Sequence, residues 1–230
     1  VFSTIHARHS VGCLHRLHDL GVSFEDMSQT LIAVSAQRII PMFSDISQLK
    51  QSQQEIYHLA YHDALTGLPN RRFLMERLEQ KINQAQYASD SFAVMYLDLD
   101  NFKAVNDHHG HHAGDEVLLA VADAMRHTLR VSDNLFRFGG DEFAVLLTSE
   151  DAASAELVAH RLVKAISQHH TCDKFGVSAS AGLAQLVEQE DCKGLFNRAD
   201  SALYQAKQAG KNLVRQSAKA SAPVAELAKA

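Results

Sequence analysis

The sequence predicts an α/β or α+β domain with one central sheet, preceded by a short attachment. Its 230 residues suit one sizeable domain plus an attachment, or two small domains at most. Helix-like and strand-like segments alternate along most of the chain without an internal repeat. The Gly139-Gly140 pair lies between two apolar runs, which is typical of a tight hairpin because such turns need positive φ.

Five short apolar runs are predicted as strands. Residues 92–97 are nearly continuously apolar and end in two aspartates, which favours a buried strand with carboxylates at its C-terminal end. Residues 135–138 and 143–147 form the two arms of the hairpin, and residues 176–186 and 212–215 supply the remaining strands.

Four segments between these runs have helical periodicity. The first, residues 70–85, is introduced by Pro69, which is a common helix start. The second, residues 114–130, carries five apolar residues on one face: Val117, Leu118, Val121, Met125 and Leu129. Residues 152–168 and 195–208 are the other two predicted helices.

The ends of the chain differ from this central region. Residues 46–60 keep a rough three-four apolar spacing and are predicted as a linker helix. The central domain is predicted over residues 61–216, and the Ala-rich residues 217–230 as a disordered tail. Because the chain begins with Val1, we expect it to be a piece of something longer or to lack its natural start.

Composition excludes several classes of protein. The chain has 22 basic and 27 acidic residues, so its net charge of −5 argues against a DNA or RNA partner. No apolar run reaches the roughly 18–20 residues that span a bilayer. The three cysteines form no CxxC pair, so neither a disulfide framework nor a cysteine zinc site is expected, and a cytoplasmic setting is the default.

Two acidic clusters occur at predicted strand ends. Asp98 and Asp100 follow the first strand, and Asp141 and Glu142 lie at the hairpin turn. If these strands are neighbours, the carboxylates converge at one edge of the sheet and repel unless a hard cation such as Mg²⁺ neutralises them. The alternative is that each cluster only ends a strand or decorates a turn.

The string Gly139-Gly140-Asp141-Glu142-Phe143 resembles the signature of the GGDEF family, the bacterial diguanylate cyclases. Residues 63–72 (DALTGLPNRR) resemble the opening motif of that domain, and residues 98–107 (DLDNFKAVND) resemble its metal and guanine segment. Residues 199–207 (ADSALYQAK) followed by GKN at 210–212 resemble its closing motif. The resemblance covers roughly residues 58–216.

The resemblance implies a fold and a reaction. The fold is similar to nucleotidyl cyclases and polymerase palms, with a mostly antiparallel sheet flanked by helices. The reaction condenses two GTP into cyclic di-GMP with release of pyrophosphate, and a homodimer brings the two nucleotides face to face. Asp98, the Leu99 carbonyl, Asp141 and Glu142 are implied to hold Mg²⁺ or Mn²⁺. The base is left open between Asp141 and Glu142, and a metal-bound hydroxyl would need no dedicated base.

The resemblance also implies the residues that bind substrate. Asn106 and Asp115 read guanine, since a carboxylate accepts from its N1–H and amino group, a pair that adenine lacks. The alternative for Asp115 is a dipole role in the first turn of a helix. Lys207 is implied as a catalytic phosphate-binding residue together with Asp141 and Glu142. The remaining implied substrate residues are Phe102, Lys103, His111, Gly139, Gly140 and Lys211.

Two positions depart from the family pattern. Lys211 stands where the family more often has arginine, so we expect a weaker clamp on the triphosphate. Ala181 replaces a larger aliphatic residue, which is a matter of packing.

Arg130 and Asp133 form an RxxD sequence a few residues before the signature. It resembles the family's product-binding inhibitory site, although an RxxD is commonly a surface ion pair. A competing interpretation is therefore a non-catalytic receptor that binds cyclic di-GMP through these two residues.

The front of the chain has a different resemblance. Residues 1–41 are similar to part of the type II/IV secretion and competence ATPases. No phosphate-binding loop of the form GxxxxGK[ST] follows, so ATP hydrolysis is not expected. Residues 43–51 instead resemble the exit of a PAS sensor domain. We expect residues 1–45 to be a poorly packed remnant.

Overall fold

The computed structural model describes residues 52–88, 91–148 and 151–218. A compact unit begins at His58, three residues before the predicted domain start. Residues 52–61 are helical and are called here the lead-in helix; they contain the described part of the predicted linker helix. The predictions for residues 1–45 and for the tail beyond 218 lie outside the described residues.

Helices and strands alternate through the unit. The helices are α1 (Arg71–Ala88), α2 (Phe102–His109), α3 (His111–Thr128), α4 (Ala152–Gln168), α5 (His170–Phe175) and α6 (Cys192–Gln208). The strands are β1 (Ala93–Asp100), β2 (Asn134–Gly139), β3 (Glu142–Leu147), β4 (Ser178–Gln185) and β5 (Val214–Gln216).

The five strands form one sheet in the order β2-β3-β1-β4-β5. All neighbours are antiparallel except β4 and β5, which are parallel. The central strand β1 places Asp98 opposite Glu142 of β3 and opposite Ser180 of β4. The sheet therefore puts the end of β1 beside the start of β3, as the predicted convergence of the acidic clusters requires.

Each face of the sheet buries its own apolar cluster, because alternate side chains of a strand point to opposite faces. On one face α1 and α6 cover the sheet, with buried Leu74, Leu78, Leu195 and Leu203 against Val94, Tyr96 and Ala144. On the other face α3 and α4 cover it, with Val117, Val121, Met125, Leu162 and Ile166 against Met95, Leu97 and Val145. The predicted core face of the second helix is confirmed for Val117, Leu118, Val121 and Met125.

Gly182 of β4 allows α6 to lie directly on the sheet. A Cβ placed on Gly182 would stand 1.9 Å from the Ala199 carbonyl oxygen and 2.3 Å from the Leu203 nitrogen. Both atoms are helix backbone, so a side chain at this position would push α6 outward. The position of α6 matters for the site because its last turn carries Lys207.

Several predicted boundaries are corrected. The helix predicted from residue 114 begins at His111, because Gly110 at φ 81° forms its cap. The strand predicted from residue 176 begins at Ser178, since the short helix α5, which was not predicted, and a left-handed Gly176 precede it. The last strand begins at Val214 rather than 212, because Lys211 and Asn212 have positive φ in a turn.

Within the described residues, no helix combines the length and apolar character that a membrane span needs.

Candidate active site

Asp98 and Asp141 meet where β1 ends and the hairpin turns. The amide nitrogen of Leu99 lies 3.1 Å from the Asp141 carbonyl oxygen, which ties the end of β1 to the acidic turn, residues 139–142. Asp141 is close enough to Asp98 to disfavour its ionisation. A carboxylate of β1 and one from the turn before β3 therefore share one edge of the sheet.

Asp98 forms an ion pair with Lys207. The Lys207 Nζ lies 2.7 Å from Asp98 Oδ1, and the two side chains are 36% and 17% exposed. Burial raises the pKa of Asp98, Lys207 opposes that rise, and Asp141 and Asp100 add to it, so the pKa lies above the ordinary aspartate value. The Asp98 carboxylate is thus paired with one positive charge, although burial and its acidic neighbours still raise its pKa.

Asp100 has a different, structural role. It is buried, and its carboxylate accepts hydrogen bonds from the Ser178 and Ser180 hydroxyls at 2.9–3.0 Å. It also accepts from the Asn212 amide at 2.9 Å. Because its oxygens are occupied, Asp100 anchors β4 and the turn of Lys211 to the end of β1.

An open pocket of about 490 Å³ lies over this edge of the sheet. It is lined by both site aspartates and by three lysines: Asp98, Asp141, Lys103, Lys207 and Lys211. Leu99 and Phe102, also predicted, line it as well, together with His108 and Asp107. The volume is in the range of small-molecule sites, and the mixture of carboxylates and lysines suits a polyanion with a bound cation.

The first turn of α2 lines this pocket. Asn101 precedes the helix in the left-handed conformation, at φ 66°, and its side chain accepts a hydrogen bond from Lys211 Nζ at 3.3 Å. The first amides of a helix have no intrahelical acceptor, so those of Phe102 and Lys103 can donate to an anion.

Asn106 and Asp115 come from adjacent helices. Gly114, the residue before Asp115, packs against the Asn106 side chain, and a Cβ there would stand 2.0 Å from Asn106 Oδ1. The glycine therefore makes room for the Asn106 side chain against the backbone that leads into Asp115. Asp115 is the fifth residue of α3 rather than a member of its first turn, which removes the reason to assign it a helix-dipole role.

The carboxylates fit a hard cation better than a soft one. No group of three His, Cys, Asp or Glu side chains in residues 52–88, 91–148 and 151–218 could hold a metal ion. Mg²⁺ commonly takes only one or two protein carboxylates and completes its shell with waters and substrate phosphates. Asp98 and Asp141 fit that pattern, whereas a zinc site with four protein ligands has no support in this part of the chain.

The family model for the diguanylate cyclase GGDEF domain matches residues 60–213. The chain belongs to this family. A second model, for type II/IV secretion system proteins, matches residues 1–92, in agreement with the resemblance of the front of the chain.

Curated relatives carry this GGDEF sequence within longer proteins. The chain is 44% identical over 169 residues to the bifunctional diguanylate cyclase/cyclic di-GMP phosphodiesterase MucR of Pseudomonas aeruginosa, covering 72% of this chain and 25% of MucR. It is 38% identical over 185 residues to the diguanylate cyclase DgcS of Shewanella oneidensis, covering 80% of this chain and 62% of DgcS. The chain therefore spans less than two thirds of either relative.

Solved GGDEF structures share the fold. The coiled coil and GGDEF domain of DgcB from Caulobacter crescentus, solved with cyclic di-GMP, matches with a TM-score of 0.73 at 26% identity. That match covers 80% of this chain and all of the other. The GGDEF domain of PA1120 from Pseudomonas aeruginosa matches with a TM-score of 0.61 at 36% identity, covering 67% and 99%. The predicted fold, a mostly antiparallel five-stranded sheet similar to nucleotidyl cyclases, is confirmed.

The other residues predicted for the site are not among those that line this pocket: Asn106, Asp115, Gly139, Gly140, Glu142 and His111. The side chain of Glu142 lies near that of Tyr96. Burial of the Tyr96 hydroxyl, together with this carboxylate, raises the pKa of Tyr96 far above its usual value. Gly139 lines a neighbouring pocket of about 510 Å³ with Arg71 and Arg137. Gly140 has a φ of 53°, as the predicted tight turn requires. His111 is the exposed first residue of α3.

The RxxD residues lie at the opposite end of the hairpin from the acidic turn. Asp133 Oδ2 accepts from the Arg130 amide at 3.1 Å, and Asp133 Oδ1 accepts from the Thr148 amide at 3.2 Å. Asp133 thus fastens the start of β2 to the end of β3. The Arg130 guanidinium is exposed and has no ion-pair partner among the described residues, so the expected surface ion pair with Asp133 is not formed.

Sequence reasoning missed Arg137. Its guanidinium donates to the Gly140 carbonyl through Nε at 3.1 Å and Nη2 at 2.7 Å, and to Asp63 Oδ1 through Nη1 at 2.8 Å. Arg137 therefore fixes the acidic turn through the Gly140 carbonyl and links it to Asp63. The available signal was a single charged residue in the otherwise apolar strand Leu135-Phe136-Arg137-Phe138.

Proposed function

We propose that this GGDEF domain is an active diguanylate cyclase that condenses two GTP into cyclic di-GMP and releases two pyrophosphates. The observation that carries the proposal is the pocket that combines Asp98 and Asp141 with Lys103, Lys207 and Lys211. Catalysis of phosphoryl transfer depends mainly on positioning and on charge stabilisation, and this pocket supplies groups for both.

The nucleotide is bound from its two ends. The lysines and the first amides of α2 bind the triphosphate, the lysines as point charges and the amides as fixed donors. Asn106 and Asp115 bind the guanine edge, with Asp115 accepting the two donors that distinguish guanine from adenine. Asp98, Asp141 and the Leu99 carbonyl would hold a divalent cation, Mg²⁺ or Mn²⁺, and Glu142 would help to hold a second one. The cations would neutralise charge on the transferring phosphate.

Formation of the product requires two copies of the domain. Each 3′-hydroxyl oxygen forms a bond to the α-phosphorus of the other nucleotide, the α–β phosphoanhydride bond breaks, pyrophosphate leaves and the hydroxyl proton is lost. One pocket holds one nucleotide, so two pockets must face each other in a homodimer. Asp141 or Glu142 accepts the proton, and the two remain alternatives.

We place the reaction in the reducing cytoplasm. The proposed substrate, GTP, and the free thiols of Cys172 and Cys192 suit that compartment.

Incubating the purified chain with GTP and Mg²⁺, and identifying the product by mass spectrometry, tests the proposal. We expect cyclic di-GMP, with a rate per molecule that rises with protein concentration because two copies must meet. The Asp141→Asn, Glu142→Gln double variant should lose at least 100-fold in rate, whereas Asp123→Asn, an exposed carboxylate on α3, should not. Absence of product at every protein concentration would refute catalysis.

The competing function is a receptor that binds cyclic di-GMP without turnover. The Arg130 guanidinium is exposed and forms no ion pair within the described part of the chain, which favours binding at this place, since it can stack on guanine and donate to it. Binding of cyclic di-GMP with no product from GTP would identify a receptor.

We also propose that cyclic di-GMP inhibits the reaction through Arg130 and Asp133. Inhibition through this site cannot be simple competition, because it lies at the far end of the hairpin from the pocket. Arg130→Ala should relieve inhibition by added cyclic di-GMP and leave the initial rate intact. Arg215 is an exposed arginine on β5 and provides the control. If Arg215→Ala relieves inhibition by cyclic di-GMP to the same extent, the assignment is contradicted.

A further inference from the structure

Lys207 differs from the other two lysines of the pocket. Among the described residues it alone of the three forms an ion pair, through the 2.7 Å contact of Nζ with Asp98 Oδ1. Lys103 forms none, and Lys211 donates to the neutral Asn101 side chain at 3.3 Å. The residue expected to bind phosphate is therefore already bound to the carboxylate expected to bind the cation.

This contact opposes the binding of a bare cation. A divalent cation at Asp98 and Asp141 would share the Asp98 carboxylate with an ammonium group in contact with it. Two like charges a few Å apart in a partly buried site repel strongly, because the effective dielectric constant there is well below that of water. The cation must either tolerate the ammonium or displace it.

A triphosphate removes this conflict. It offers Lys207 a second anion at the same pocket, and the flexible four-carbon stem lets the ammonium move without movement of the helix. Lys207 is also 36% exposed and lies in the last turn of α6, so its head group has room to move. Transfer of the ammonium from Asp98 to phosphate releases the carboxylate when a cation–nucleotide complex arrives.

We propose that Lys207 determines the form in which substrate is accepted. In the nucleotide-free site its ammonium pairs with the Asp98 carboxylate and so excludes the bare cation. A cation and a triphosphate that arrive together can bind, because the ammonium then moves to the phosphate. The proposal rests on the proposed function for the identity of the nucleotide. The exclusion of the bare cation depends only on the pair of Lys207 and Asp98.

The alternative is that the pair only fastens α6 to the sheet. Removing the lysine would then lower stability without changing cation affinity. Direct cation binding separates the two, because a fastening role predicts no gain in affinity.

The test measures Mn²⁺ binding to the nucleotide-free full chain by electron paramagnetic resonance of free Mn²⁺. Lys207→Met should bind Mn²⁺ about tenfold more tightly than the unaltered chain, a change of about 1.4 kcal/mol. Lys103→Met removes the same charge from the same pocket but breaks no ion pair, so it should change the affinity less than about threefold. Lys207→Arg should keep the weak binding.

Repeating the titration with a non-hydrolysable GTP analogue completes the test. The higher Mn²⁺ affinity of Lys207→Met over the unaltered chain should shrink or reverse, because the lysine of the unaltered chain now binds phosphate. Equal Mn²⁺ affinity of Lys207→Met and the unaltered chain overturns the proposal, as does an equal gain in Lys103→Met. Lys207→Gln provides a second variant if Lys207→Met fails to fold.

Failure of the two proposals can be told apart. If the chain makes no cyclic di-GMP but Lys207→Met gains Mn²⁺ affinity, the proposed function fails and this inference stands. If the chain makes the product and no gain is seen, only this inference fails.

Discussion

Arg137 Nη1 lies 2.8 Å from Asp63 Oδ1, and this contact joins two turns that are far apart in the sequence. Asp63 opens residues 63–70, called here the opening turn, which directly follows the lead-in helix. The same guanidinium donates to the carbonyl of Gly140 in the acidic turn. One side chain thus connects the beginning of the domain to the turn that carries Asp141 and Glu142.

Arg137→Lys should lower kcat more than it raises KM. Lysine keeps the charge but cannot donate to Asp63 and to the Gly140 carbonyl in the same fixed geometry. Small displacements of reacting groups are costly, so we expect a loss of roughly tenfold in kcat. Steady-state kinetics measures the split, with Arg72→Lys as the control, since Arg72 forms an exposed pair with Glu76 and lies over the Tyr61 ring. An unchanged kcat in the Arg137→Lys variant would contradict the role of Arg137 in positioning the acidic turn.

Asp63→Asn should lower stability at neutral pH. Burial alone would raise the pKa of Asp63, but hydrogen bonds from Thr66 and Arg137 and the charge of Arg137 outweigh it and lower the pKa. A depressed pKa means that the ionised form stabilises the fold above the unfolded pKa of about 3.9, and that this stability is lost as pH falls through the folded pKa. Thermal unfolding against pH should show the largest loss near neutrality and a shrinking one in acid. A loss that is constant with pH would contradict this account.

Asp98→Asn should raise stability at neutral pH, the opposite of the effect expected for Asp63→Asn. Burial raises the pKa of Asp98 despite Lys207, so the native state holds its proton more tightly than the unfolded state. The unaltered chain therefore loses stability as pH rises from about 3.9 through the folded pKa, and the amide, which cannot ionise, does not. The nucleotide-free variant should unfold at a higher temperature at pH 7 and show no advantage in acid. Glu156→Gln, an exposed carboxylate on α4, is the control.

Gly182→Ala should destabilise the domain and weaken nucleotide binding together. The added Cβ meets the backbone of α6 at Ala199 and Leu203, which cannot rotate away. Overpacking commonly costs about 1–3 kcal/mol, and the displaced helix takes Lys207 with it. Chemical denaturation measures the first effect and GTP-analogue binding the second. Ala181→Gly, on the neighbouring residue of the same strand, should weaken the fold without this loss of binding; equal losses of binding would contradict the account.

Lys211→Arg should tighten nucleotide binding by a few-fold. The lysine lines the pocket, and its Nζ donates a hydrogen bond to Asn101 Oδ1 at 3.3 Å. A guanidinium can contact two phosphate oxygens in a fixed fork. Titration with a GTP analogue gives the affinity, and Lys103→Arg in the same pocket is the comparison. Unchanged affinity in Lys211→Arg would show that the position does not contact phosphate.

Motif and periodicity predicted much of the fold but little about the partners of charged residues. The apolar strands, the Gly-Gly hairpin and the covering helices were predicted because each depends on neighbours in the sequence. Helix α5 was missed because its six residues are too few for a periodic pattern. Spacing alone does not separate Asp98 from Asp100, and the family resemblance implies a metal role for Asp98 only. The contacts of Ser178, Ser180 and Asn212 give Asp100 its structural role.

The sequence by itself determined the family, because its motifs keep their residues in a recognisable order. Of the predicted site residues, those that line the pocket are Asp98, Leu99, Phe102, Lys103, Asp141, Lys207 and Lys211. Only the tertiary structure decided that Lys207 contacts Asp98 and that Arg137 joins Asp63 to Gly140. The physical reason is that these contacts depend on strand register and on the close packing of α6 over Gly182. Register and packing are set by the whole sheet, so the spacing of residues within one motif does not contain them.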